Sequence, residues 1–99
     1  MRLRSDEINA IKESLYYAMG EKASVSLFGS RVDDSKRGGD IDLYIEVPFK
    51  GYNSMQRHRF MSLLMQRLGE QKVDVVINKI GSAQHQIIFD IAKRDGILL

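Results

Sequence analysis

The sequence predicts an α/β or α+β domain, with a small mixed β-sheet and helices packed against it. Three observations lead there. Ile41, Leu43, Ile45 and Val47 alternate strictly with Asp40, Asp42, Tyr44 and Glu46, the period of a strand with one buried face. Ile8, Ile11, Leu15 and Met19 recur at spacings of three and four, the period of one helix face. Helical and strand patterns then alternate along the chain, with glycines between them.

The elements follow in order. Ser5 can accept from the free N–H groups of a helix start, with Asp6 and Glu7 in the favourable first turn, and Gly20 suits the position after the helix. From Ala23 to Phe28, Val25 and Leu27 alternate with Ser24 and Ser26, which reads as a half-buried strand that Gly29 breaks. Residues 30–39 are polar and charged and end in Gly38-Gly39, so they read as a loop or a short helix. The strand from Asp40 to Val47 should stop at Pro48, which cannot donate to a sheet ladder. A second helix is expected from Asn53 or Ser54, carrying Met55, Phe60, Leu64 and Leu68 and stopping at Gly69. Lys72 to Ile77 reads as a short inner strand, and a final helix from Ser82 should bury Ile87, Ile88 and Ile91 before Gly96.

Length and composition limit what this domain can do. Its 99 residues suit one domain, 1–99, and the 43% hydrophobic share excludes a wholly disordered chain. Fifteen Lys and Arg against 13 Asp and Glu leave a net charge of +2, too small for nucleic-acid binding by bulk charge alone. There is no cysteine, which removes disulfides, zinc–thiolate sites and cysteine nucleophiles. No apolar run approaches the roughly 18 residues of a membrane span, and MRLRSDEINA has no apolar signal core, so the expected location is the cytoplasm.

Three carboxylates carry the chemistry. Asp40 and Asp42, two apart on a strand, project from the same face, where two like charges repel unless a cation lies between them. Asp74 interrupts the apolar run Val73 to Ile77, and a charge inside a strand needs a partner. Taken singly, the first pair reads equally well as a solvated strand face, and Asp74 as half of a salt bridge. Together on adjacent strands, Asp40, Asp42 and Asp74 form a three-carboxylate set suited to a hard divalent cation such as Mg²⁺. Gly29-Ser30, at the end of the preceding strand, lets the backbone approach a ligand, and a following helical turn would cradle phosphate.

Gly29-Ser30, nine residues, then Asp40-Ile41-Asp42-Leu43, and later Val73-Asp74-Val75-Val76, resembles the signature of the polymerase-β-like nucleotidyltransferase superfamily. The small size is similar to its minimal nucleotidyltransferase branch, known as MNT. The resemblance implies that Asp40 and Asp42 bind two Mg²⁺ ions, one of them holding the triphosphate of ATP. It implies that Asp74 shares the other ion and helps activate an acceptor hydroxyl, and that Gly29 and Ser30 contact the terminal phosphates; Arg31, directly after them, is a further candidate phosphate contact by position. The reaction implied is in-line transfer of AMP with pyrophosphate leaving. It further implies an antitoxin, paired with a HEPN-domain ribonuclease toxin that it silences by adding AMP to a tyrosine.

Two other readings stay open: a non-catalytic module that neutralises the toxin by binding, and a transferase acting on a small molecule or an RNA end. Lys36 and Arg37 could neutralise a triphosphate or simply be solvated. His58 and His85 read as surface residues, and Tyr16 and Tyr17 as helix packing by default, with an interface or self-modification as alternatives.

Overall fold

The computed structural model describes residues 3–29, 40–69 and 71–99. These form α1 (Ser5–Met19), β1 (Ser24–Phe28), β2 (Ile41–Pro48), α2 (Ser54–Leu68), β3 (Val73–Ile80), α3 (Ile87–Asp95) and β4 (Ile97–Leu98). The sheet order is β3-β2-β1-β4, with β1 antiparallel to β2 and β4, and β2 parallel to β3. The mixed sheet and flanking helices are the α+β architecture that the alternating periods predict.

The sheet has two covered faces. On one, Val25, Leu27, Ile41, Leu43, Ile45 and Val47 pack with Ile11, Leu15 and Ala18 of α1 and Phe60 and Leu64 of α2. Each large side chain buried there stabilises the fold by about 1.5–3 kcal/mol. On the other, Tyr44 packs with Phe89 and Ala92 of α3, and Phe28, Val76 and Ile88 are half-buried around them. The even-numbered side chains of β2 share this second face, so Asp42 lies on the α3 side of the sheet.

Several details differ from expectation. The cap of α1 is Arg4 rather than Ser5: Glu7, itself buried, accepts from the Arg4 N–H at 2.9 Å. Tyr16 and Tyr17 do not pack into the core but are exposed, ring against ring at 5.6 Å. α2 begins as predicted, with the Asn53 side chain accepting from the Gln56 N–H at 3.3 Å, but Met55 is 70% exposed. β2 includes Pro48 and β3 runs on to Ile80, because the parallel ladder continues through the pair Pro48 and Ile80. β3 is an edge strand, not an inner one. Arg57 of α2 reaches it, donating to the Val75 carbonyl at 3.2 Å, and so occupies one of its polar backbone groups.

Ser82 does not start the last helix. Its hydroxyl donates to the Lys79 carbonyl at 2.7 Å and closes a turn, and α3 begins at Ile87. Ile87 and Ile91 are exposed, and Phe89 and Ala92 carry the burial instead. β4 is an addition: Ile97 and Leu98 pair with Leu27 and Ser26.

Candidate functional site

The corner where β1 ends and β2 and β3 begin gathers Gly29, Asp40, Asp42 and Asp74. Asp42 stands opposite Phe28 of β1 on one side and opposite Asp74 of β3 on the other. In a parallel pair this register puts both carboxylates on one face, as like charges on neighbouring strands. Asp40 immediately precedes β2, and its Oδ2 lies 3.5 Å from the Lys72 ammonium. The main chain locks this arrangement, because the Ile41 N–H donates to the Lys72 carbonyl at 3.1 Å.

Gly29 follows β1 with φ at +78°, a conformation that side chains disfavour. A Cβ built there would collide with Asp42 Oδ2 and lie 3.1 Å from its Cγ. The missing side chain therefore makes room for the Asp42 carboxylate itself. Gly29 was expected to let backbone approach a ligand; the described group it approaches is this carboxylate.

Electrostatics follow the same geometry. Burial pushes the Asp42 carboxyl above the usual carboxylate range, and the charges of Asp74 and Asp40 push it further. Lys72 opposes them. Asp42 is half-buried while Asp74 is exposed at the sheet edge, so the two carboxylates meet water differently. Among the described residues, no three Asp, Glu, His or Cys side chains lie close enough to hold a metal ion as they stand. Asp40 is held instead by Lys72.

The donor chemistry nevertheless fits a hard divalent cation. Asp42 and Asp74 are register neighbours, Asp40 directly precedes β2, and the Asp42 carboxylate fills the space that a Gly29 side chain would take. Ser30 and Arg31, the other predicted phosphate contacts, lie outside the described residues, as do Lys36 and Arg37. His58 and His85 are exposed as expected, His85 pairing with Asp90 at 3.0 Å.

Two features escaped the sequence reading. Lys72 was read only as the start of a strand, and its approach to Asp40 depends on the parallel register. Beyond the carboxylates, the Tyr44 hydroxyl donates to Glu46 at 2.7 Å and accepts from Asn78 at 2.9 Å. The pairing of Glu46 with Asn78 in register explains that network. The i, i+2 spacing of Tyr44 and Glu46 was its only sequence signal.

Among the described residues no helix is long and apolar enough to cross a membrane. The family model described as a nucleotidyltransferase domain matches residues 6–95 of the chain. No curated protein matches it.

Proposed function

The chain belongs to the nucleotidyltransferase-domain family, and from that membership we propose that it transfers AMP from ATP to a tyrosine hydroxyl of a HEPN-type ribonuclease toxin, as the antitoxin of the pair. Nucleotidyl transfer is the family's general activity. The nucleotide, the acceptor and the partner rest on the resemblance to the minimal branch. The observation that carries the reading is the pairing of Asp42 with Asp74 in register beside the side-chain-free Gly29.

In this reading Asp40, Asp42 and Asp74 are the metal ligands and catalytic residues. Two Mg²⁺ ions held by them would offset charge on the phosphate oxygens and on the attacking and leaving oxygens. A cation beside Asp42 would offset the burial and the acidic neighbours that raise its pKa. Gly29, with Ser30 and Arg31 after it, would receive the outer phosphates. The acceptor oxygen forms a bond to the α-phosphorus as the bond to the bridging oxygen breaks, and pyrophosphate leaves. The hydroxyl proton passes to Asp74, whose exposed carboxylate is open to an acceptor arriving from solvent.

In a competing reading the fold only binds the toxin. Intact-mass spectrometry of the cognate HEPN protein, incubated with this chain, ATP and Mg²⁺, separates the two. An AMP adduct that forms with wild type and disappears with Asp42→Asn is the expected result. Equal neutralisation by both proteins with no added mass would establish the binding module.

A further inference from the structure

Lys72 has no task in that mechanism, yet its place is closely defined. Its ammonium lies 3.5 Å from Asp40 Oδ2, with the lysine side chain 70% exposed and the aspartate 40%. Its carbonyl is bonded to the N–H of Ile41, between Asp40 and Asp42. Lys72 also lines a cavity of about 220 Å³ with Met61, Leu64, Met65, Leu68 and Val73. A lysine beside such a surface rests its carbon stem on apolar groups and keeps its charged head in water. The ammonium stands beside Asp40, at the edge of the corner where Asp42 and Asp74 are register neighbours.

We propose that Lys72 is the resident counter-cation of this corner: it holds Asp40 until a divalent cation binds, then turns its charge to the incoming triphosphate. The proposal rests on the nucleotidyl-transfer reading. A single exposed ion pair stabilises by about 1 kcal/mol at most, so it yields readily to a divalent ion drawing on several carboxylates. While it persists, its positive charge opposes the entry of a second cation by Coulomb repulsion. Once displaced, an ammonium on a flexible four-carbon stem is a mobile point charge suited to phosphate oxygens. Lys72 therefore weakens metal binding to the empty site and strengthens triphosphate binding to the loaded one.

These opposite signs make the test. Mn²⁺ is titrated into the full chain without nucleotide, following free Mn²⁺ by electron paramagnetic resonance. A non-hydrolysable ATP analogue is then titrated at saturating Mn²⁺. Lys72→Met, which keeps an apolar stem, should bind Mn²⁺ roughly three- to tenfold more tightly and the analogue more weakly by a similar factor. Lys72→Arg, which keeps the charge, should restore the wild-type order. Mn²⁺ affinity that stays unchanged or falls in Lys72→Met, while Asp42→Asn loses Mn²⁺, would overturn the role of Lys72 alone. If Asp42→Asn binds Mn²⁺ as wild type does, the site reading fails and this proposal fails with it.

Discussion

At Gly29 one hydrogen atom in place of a methyl group leaves room for the Asp42 carboxylate. The positive φ of this glycine and the closeness of Asp42 Oδ2 both exclude a side chain. Gly29→Ala should destabilise the fold by about 1 kcal/mol or more. It should lower transfer by a larger factor than stability explains, measured by urea unfolding and by activity at a temperature where the variant stays folded. Asp42 makes the opposite kind of prediction. Its carboxyl is raised by burial, Asp74 and Asp40 against the opposing Lys72, so the folded state holds that proton more tightly than the unfolded chain does. The stability it contributes is fully present below the ordinary carboxylate pKa of about 4 and is lost as pH rises through the raised value. Asp42→Asn should therefore melt above wild type at neutral pH in EDTA, and the two melting temperatures should converge in acid. A constant difference across that range would contradict the account.

At the scale of elements, α2 shows what local signals determine. Asn53 caps it and Gly69, with φ at +68°, ends it, so both limits were legible in single residues. Asn53→Ala should cost about 0.5–2 kcal/mol. Phe60→Ala, at a fully buried position against α1 and the sheet, should cost about 3–5 kcal/mol in chemical denaturation. β2 was legible for a similar reason, since strict alternation records burial on one face. α3 was not. Ile87, Ile88 and Ile91 imitate an amphipathic stripe, but Ser82 is consumed by the turn after β3, and the late start turns Phe89 and Ala92 inward. β4 has two residues and no period to read; it exists because β1 offers a free edge. Gly96 must be bare chiefly because a Cβ there would collide with the Ala92 carbonyl oxygen of α3, and it would also lie 3.3 Å from the Leu27 carbonyl oxygen.

Across the whole molecule, the candidate site is a product of strand order. Asp42 and Asp74 are far apart in sequence and become neighbours only because β2 and β3 run parallel in matching register, with α2 between them in the chain. Asp40 and Asp42 were legible as like charges two apart on one strand face, and Asp74 as a charge inside an apolar run. That β3 lies at the edge, that Asp74 is exposed and that Lys72 reaches Asp40 were not, because a single chain's periodicity does not specify neighbours. Divalent cations should stabilise the folded protein by linkage, about 2.7 kcal/mol at a hundredfold excess over the dissociation constant, and Asp42→Asn should lose most of that gain.

The central claim is that this corner holds a nucleoside triphosphate through divalent cations, and its test needs no knowledge of the acceptor. Calorimetric titration of ATP into the protein, with Mg²⁺ and again with EDTA, measures it directly. The account predicts binding with Mg²⁺ that is lost in EDTA and in Asp42→Asn. ATP affinity that is the same with and without metal would contradict it.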